Sequence, residues 1–316
     1  MKLLITGMAG FIGSRLFRYL TLEEPEIEVR GFDLAYGQDV RNKQQVEEAV
    51  SWADTIIHLA ALTHVDTSIA DPGVFYQTNV GGTLNFLEAL RCHKTKKFVQ
   101  VSSSEVYGSM TEEEYRQGFR QAEDYPIRPH SPYAATKVAQ DRMCYAFYQT
   151  YGLPIVIVRP FNNIGPGQDI RKVVPKFINQ VMQAGSMTLY GDGCSTRDWV
   201  YVDDVTRGLW LATELPLGTV VNLASGISYQ IRDLAYMVAE IASRFGFGLR
   251  RTASVTTFVS HTDEREGHVK HLRGSYALAR ELTGWKPTHD IEASIYKTWA
   301  SIVGAGPTVY RGGEGK

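Results

Sequence analysis

A phenol and an ammonium four residues apart share one face of a helix, and Tyr133-Ala134-Ala135-Thr136-Lys137 supplies that pair. The charge of Lys137 lowers the phenol's pKa and makes Tyr133 a base near neutral pH. Such a base needs a neighbouring hydroxyl to polarise a substrate oxygen. Ser102-Ser103-Ser104 offers three, followed at once by the carboxylate of Glu105. A second set, Gly7, Gly10 and Gly13 with Phe11 and Ile12 between them, suits another task. Glycines let the backbone approach a pyrophosphate, whose charge is favoured by the free N–H groups and dipole of the helix that follows. The spacing is G-x-x-G-x-x-G, not the G-x-G-x-x-G of the usual dinucleotide fingerprint, and alone it also describes a turn. Asp33 supplies the context, because a carboxylate about 20 residues on accepts both ribose hydroxyls and repels a 2′-phosphate, favouring NAD over NADP.

Asp39 and Val40 follow a short loop and read as the adenine-edge contact, with a surface turn as the alternative. Leu59, Ala60 and Ala61 end the third-strand region, where small residues let a cofactor lie across the sheet; His58 before them reads as a packed, hydrogen-bonded histidine.

These groups need a scaffold, and the hydrophobic pattern describes one. The apolar run Leu3 to Thr6, a glycine turn and helical spacing over Phe11 to Leu20 form a strand, turn and helix. Further strands are predicted at Glu28 to Phe32, Thr55 to Leu59, Lys97 to Ser102 and Pro154 to Arg159. Helices are predicted near Gln44 to Trp52, Phe75 to Cys92 and Tyr133 to Tyr151. Strands alternating with helices imply a parallel sheet covered on both faces. The segment Phe161 to Pro166 reads as a loop. Beyond it, helices at Val173 to Ala184, Ile231 to Ser243 and Ile291 to Val303 mark a smaller second domain, and the tail from Gly304 is expected to fray.

The 316 residues carry 33 Lys+Arg against 34 Asp+Glu, a formal charge of −1, which argues against a nucleic-acid partner. At 44% apolar and 21% charged residues the chain can bury a large core. Cys92, Cys144 and Cys194 are odd in number and widely spaced, so neither a disulfide framework nor a metal site is expected. With no signal peptide and no long apolar run, the expectation is a soluble cytoplasmic protein with no membrane partner.

Taken together, the glycine turn, His58-Leu59-Ala60-Ala61, Tyr133 with Lys137, and the Asn162 to Pro166 loop resemble the extended short-chain dehydrogenase/reductases, the nucleotide-sugar epimerases and dehydratases. The resemblance covers essentially the whole chain. It implies an α/β fold: a Rossmann-type doubly wound parallel sheet over residues 1–165, with 198–226 returning to it. A smaller discontinuous substrate-binding α/β domain then takes 166–197 and 227–316. It implies NAD as cofactor, a nucleotide-diphosphate sugar as substrate and a homodimer formed through helices near 75 to 92 and 133 to 150, both of which carry apolar stripes.

By the same resemblance Ser103 is the catalytic hydroxyl and Asn79 a cofactor residue, with a helix-packing amide as its alternative. Tyr133 takes the proton of the sugar's 4-hydroxyl as hydride leaves carbon 4. Glu105 is placed to remove the carbon 5 proton that the new ketone acidifies. Ser104 stands where dTDP-glucose 4,6-dehydratases have an aspartate that serves the departing 6-hydroxyl. Asn162, Lys172, Arg197 and Arg265 match diphosphate-binding positions, and His64 lies near the inferred sugar pocket. Tyr190 and Trp199 are expected to fill core, and Asp203 and Asp204 to cap a helix. The readings left open are 4,6-dehydratase first, then 4-epimerase, then UDP-glucuronate decarboxylase, with a non-enzymatic NAD-binding protein last.

Overall fold

The computed structural model describes residues 1–184, 186–247, 259–264 and 267–304. Elements follow in chain order: β1 (Lys2–Thr6), α1 (Phe11–Glu23), β2 (Glu28–Phe32), α2 (Lys43–Trp52), β3 (Thr55–His58), α3 (Val65–Ala70), α4 (Pro72–Phe75), α5 (Gly82–Leu90), β4 (Lys97–Val101), α6 (Glu112–Arg116), α7 (Pro132–Tyr151), β5 (Ile155–Pro160) and β6 (Asn162–Ile164). The remainder comprises α8 (Val173–Ala184), β7 (Met187–Tyr190), β8 (Thr196–Tyr201), α9 (Val202–Leu211), β9 (Val220–Leu223), β10 (Ser228–Gln230), α10 (Ile231–Arg244), β11 (Val259–Thr262), α11 (Ala277–Thr283) and α12 (Ile291–Gly304).

The chain folds as two compact units. The first is Met1–Asn163 with Thr196–Ser228 and Glu266–Thr288, and the second is Ile164–Ser195, Tyr229–Arg265 and His289–Lys316. The first unit holds a six-stranded sheet in the order β2-β1-β3-β4-β5-β9. All its pairings are parallel, from Thr6 opposite Phe32 and His58 to Arg159 opposite Asn222. Because both faces are covered, the inner strands are mostly apolar and buried, and their alternate residues serve opposite cores, whereas the edge strand β2 is partly exposed. Leu3, Ile5, Ile57, Val99 and Val158 pack with Leu16 and Leu20 of α1 and Val205 and Leu209 of α9. Leu4, Ile56, Phe98 and Ile157 pack with Val46 of α2, Phe86 and Leu87 of α5 and Cys144 of α7.

The sheet order reverses between β1 and β3, so their carboxyl ends border the crevice where open α/β sheets bind ligands. Helix α7 is fixed at both ends. Ser131 accepts the Ala134 N–H, Pro132 occupies the first turn, and Gly152 closes the helix in the left-handed conformation.

The fold departs from the sequence expectations in four places. The helix expected over 75 to 92 is α4, a π-helical turn Tyr76–Gly81 and α5, the turn holding one residue more than an α-helical turn. The segment expected as a loop contains the short strand β6. Asp203 and Asp204 occupy the first turn of α9 but do not cap it: Asp203 binds the Arg15 guanidinium at 2.7–2.9 Å, and Asp204 accepts from the Thr288 N–H at 2.9 Å and from its hydroxyl. Finally, the chain returns to the first unit a second time, over Glu266–Thr288. Leu272 and Trp285 are buried in its core there, and the Trp285 indole donates to the Asp204 carbonyl at 2.9 Å.

The second unit, described by itself, packs α8, α10 and α12 with the parallel pair β7 and β11. Buried Trp299 of α12 stacks on the exposed ring of Phe245. Arg265 and the tail after Gly304 lie outside the described residues.

Candidate active site

The turn between β1 and α1 is shaped for close backbone approach. Gly7 has φ of 70°, and a Cβ there would stand 2.9 Å from the Ala60 nitrogen. At Gly13 a Cβ would come within 2.2 Å of the Gly7 carbonyl oxygen. Gly10 begins α1 without any side-chain cap, so the first turn keeps the N–H groups that receive an anion. The Asp33 carboxylate accepts from the Ala9 and Ala35 N–H groups, each at 2.9 Å, holding the glycine turn against the end of β2. An uncapped helix start, glycines with no room for a Cβ and an oriented carboxylate fit the diphosphate and ribose of a dinucleotide. Further along, Asp39 is bound by Arg41, whose hydrogen bonds hold its carboxyl below the usual range. Val40 is buried against Gly82, and its carbonyl accepts from Asn85 at 2.9 Å.

Beneath this turn runs a buried relay. Thr6 Oγ1 accepts the Leu59 and Ala60 N–H groups at 3.1 and 3.0 Å, so its own proton goes to His58 Nδ1 at 2.8 Å. The proton of the imidazole is therefore on Nε2, which meets Thr83 Oγ1 at 3.1 Å. Thr83 in turn donates to the Asn79 carbonyl at 2.8 Å. Burial, followed by the charge of Lys137, lowers the His58 pKa to about 3, which keeps the ring neutral.

Asn79 lies in the π turn, fully buried. Its Oδ1 accepts from the Leu62 N–H at 2.8 Å, and its two amide hydrogens go to the Leu62 carbonyl and Thr136 Oγ1. With both hydrogens and the carbonyl engaged, Asn79 ties the segment after β3 to α7.

Tyr133, Ser103, Lys137 and Glu105 come together at the carboxyl end of β4 and the start of α7. Ser103 caps a 3-10 turn, Ser104–Tyr107, by accepting the Glu105 N–H at 3.2 Å. Ser103 and Glu105 neighbour the Tyr133 phenol. Burial pushes its pKa up to about 12, Ser103 opposing and the charge of Glu105 adding to the rise. Lys137 sits differently from the sequence expectation. Its ammonium turns under β4 to the Val101 carbonyl at 2.8 Å, and the groups acting on the phenol are Ser103 and Glu105. Burial lowers the Lys137 pKa to about 8, with Asp141 acting against it. Glu105 is half-buried between Tyr133 and Arg197, exerting its charge on both, whereas Ser104 is buried within the turn.

Of the expected substrate residues, Arg197 lies in this same unit. It is only 6% exposed, and Nη1 donates to the Thr196 carbonyl at 2.9 Å and faces the Lys270 carbonyl at 3.5 Å. Burial lowers its pKa, with the charge of Glu105 opposing. Asn162 is half-buried with its amide oxygen unpartnered. His64 precedes α3, whose Ser68 accepts the Tyr133 N–H at 3.0 Å. Lys172 belongs to the second unit, just before α8. Trp199 is buried, as expected of core, and Tyr190 is half-buried in the second unit.

Sequence reasoning missed the support beneath. Asp141, one turn beyond Lys137, is gripped by Arg159 at 2.8 and 3.1 Å, and Arg159 reaches the Tyr107 hydroxyl at 2.8 Å. Burial works against the Asp141 charge, but the Arg159 bonds outweigh it and hold the carboxyl below its usual range. The four-residue step from Lys137 was the legible signal. Asp198 is fully buried and accepts four hydrogen bonds. Burial nonetheless pushes its pKa up to about 6.

Known proteins resemble this chain. Residues 3–224 match the NAD dependent epimerase/dehydratase family. A dTDP-glucose 4,6-dehydratase of Streptomyces griseus is 34% identical, over 94% of this chain and 93% of that one. Among solved structures, the Streptomyces venezuelae dTDP-glucose 4,6-dehydratase DesIV, with NAD and TYD bound, has a TM-score of 0.87 at 30% identity. That match covers 96% of this chain and 97% of DesIV. The Thermus thermophilus UDP-glucose 4-epimerase in complex with NAD has a TM-score of 0.85 at 32% identity, over 96% of this chain and all of that one. With the glycine turn, Asp33 and the Tyr133–Lys137 pair on one parallel sheet, and with these matches along nearly the full length, the chain belongs to the NAD dependent epimerase/dehydratase family of sugar-nucleotide enzymes.

Proposed function

We propose that this enzyme is a nucleotide-sugar 4,6-dehydratase. The observation that supports the reading above its rivals is Glu105, a half-buried carboxylate on the turn capped by Ser103, close enough to Tyr133 to raise its pKa. NAD, when bound, would supply the hydride acceptor and a positively charged ring. Tyr133 Oη receives the proton of the sugar's 4-hydroxyl while Ser103 Oγ holds the same oxygen. Lys137 Nζ, held by the Val101 carbonyl, is the buried cation of the site, and its charge together with that of the bound cofactor brings the phenol's pKa down for this step. Glu105 then takes the carbon 5 proton. Because Ser104 offers no acid, that proton leaves with the departing 6-hydroxyl as water. The hydride taken from carbon 4 then returns to carbon 6 and a solvent proton to carbon 5, which leaves a 4-keto-6-deoxy sugar and the cofactor oxidised again.

On the cofactor side, Gly7, Gly10, Gly13 and the start of α1 receive the diphosphate, Asp33 the adenosine ribose, and Leu59 to Ala61 the flat of the dinucleotide. Within the first unit, Arg197 and Asn162 receive the substrate's diphosphate. Three free thiols suit a reducing cytoplasm. Two copies pair through α5 and α7, whose neighbourhood exposes Tyr76, Tyr145 and Tyr151.

The 4-epimerase reading is favoured by one feature, the serine at position 104. The test is mass spectrometry after incubating the protein with NAD and a panel of dTDP-, UDP- and GDP-hexoses, dTDP-glucose first. Loss of one water is the expected result, and an isomer of unchanged mass establishes epimerisation instead. Glu105→Gln should still oxidise carbon 4, seen as absorbance of reduced NAD, while product formation falls by roughly two to four orders of magnitude. Normal turnover in that variant rejects the role of Glu105.

A further inference from the structure

Arg197 is a buried cation whose guanidinium meets two carbonyl oxygens, Thr196 O at 2.9 Å and Lys270 O at 3.5 Å. Both belong to one short ladder. The Thr196 N–H donates to the Lys270 carbonyl at 2.8 Å, and the Leu272 N–H donates to the Thr196 carbonyl at 3.1 Å. His271 adds a side-chain tie, its Nδ1 lying 3.0 Å from Thr196 Oγ1. The height at which the guanidinium sits is therefore set by where the returning segment 267–275 lies along β8.

That segment is anchored by the residue after Arg197. On the opposite face of β8, Asp198 Oδ2 accepts the Gly274 N–H at 3.0 Å and the Gly226 N–H at 2.9 Å. Its Oδ1 accepts the Ser225 N–H at 2.7 Å and the Ser225 hydroxyl at 2.6 Å. These donors come from two parts of the chain, the turn after β9 and the second return to the unit. Neither glycine is replaceable: Gly226 has φ of 78°, and a Cβ at Gly274 would stand 2.4 Å from the Ala224 methyl and 2.5 Å from the Phe161 ring. Phe161 precedes Asn162, so the same anchor underlies the second expected diphosphate residue. A carboxylate with four donors and no exposure is more than a strand-packing residue needs; three of its bonds hold the turn after β9 and the fourth, from Gly274, holds the segment that carries Arg197's carbonyl partner.

We propose that Asp198 is a positioning residue for substrate binding: by drawing the turn after β9 and the 267–275 segment onto β8, it sets the Arg197 guanidinium for the substrate's diphosphate. The inference rests on the reading of Arg197 as a diphosphate ligand, and the test separates the two.

The experiment compares the full-length protein with Asp198→Asn, Ser225→Ala and Arg197→Met. The readouts are affinity for thymidine and uridine diphosphate by calorimetry, affinity for NAD, and the split between KM and kcat on the sugar nucleotide the panel identifies. In Asp198→Asn the amide N–H faces backbone N–H donors, so nucleoside diphosphate affinity should fall, and KM rise, by about tenfold. NAD affinity should stay within about twofold and kcat should change far less than KM. Ser225→Ala removes one donor and should move the same two readouts by about threefold. If Asp198→Asn does not fold, Ser225→Ala decides by the same criterion. Unchanged nucleoside diphosphate affinity where Arg197→Met lowers it overturns the role of Asp198 and leaves that of Arg197 standing. A parallel loss of NAD affinity overturns it too, since that marks general loosening. If Arg197→Met itself leaves nucleoside diphosphate affinity intact, the reading of Arg197 fails and the inference with it.

Discussion

A side chain that titrates in a buried place records what the fold gave up to hold it there. Lys137 has its pKa lowered by burial to about 8, against an ordinary 10.5. Between those values the unfolded chain binds a proton that the native chain has released, so stability rises with pH across that window; at neutral pH the buried ammonium opposes folding. Lys137→Met should therefore lose the rise in Tm between pH 8 and 10.5 seen in the parent. It should melt no lower than the parent at about pH 7, while activity falls by about two to four orders of magnitude. Thermal melts of the two proteins across pH, beside one activity assay, check both. A variant that melts markedly lower at neutral pH shows Lys137 to be a structural support. The residues of this site were largely legible, because a four-residue step or a strand-end serine cluster is written locally. The supports were less so. Asp141 and Asp198 act through Arg159, Ser225 and Gly274, and no local pattern joins residues that far apart.

At the scale of elements, the first turn of the chain is the most demanding. A methyl group at Gly13 meets backbone on two sides, 2.2 Å from the Gly7 oxygen and 2.7 Å from the Met8 Cα, so no side chain can yield to it. Gly13→Ala should lower stability by about 1–3 kcal/mol, as overpacking does, and weaken NAD binding because α1 must retreat from β1. Denaturant unfolding and NAD titration measure the two. Unchanged NAD affinity would falsify the assignment of this turn to the diphosphate. Most strands of the sheet and the long helices were readable from periodicity, since two-sided burial leaves unbroken apolar runs such as Leu3 to Ile5. The π turn was not, because an added residue in a helix leaves apolar spacing nearly intact. Helix α6 had a readable start in Thr111 and Glu114, a reciprocal capping box that periodicity over five residues could not support. The second return, Glu266–Thr288, lacked any periodic signal, being held by Asp198, Asp204 and the Trp285 indole.

For the whole molecule, the apolar surface around α5 and α7 bears on assembly. Tyr145 and Tyr151 stay exposed, with Arg142 and Arg91 lying over their rings. If two copies meet there, Tyr76→Glu combined with Tyr145→Glu should shift the protein from dimer to monomer in sedimentation, without loss of helical content. A parent that sediments as a monomer rejects the pairing.

The order in which the sheet is completed also matters while the chain is being made. Strand β9 closes the edge beside β5 and α9 covers α1, yet both lie well past the last of the other five strands. A nascent chain that has reached β5 therefore exposes an unpaired strand edge and the bare apolar face over Leu16 and Leu20. The ribosome must extend through the second unit's first segment before either is covered. Synthesis thus passes through a five-stranded sheet with one sticky edge, the kind of species from which aggregation starts.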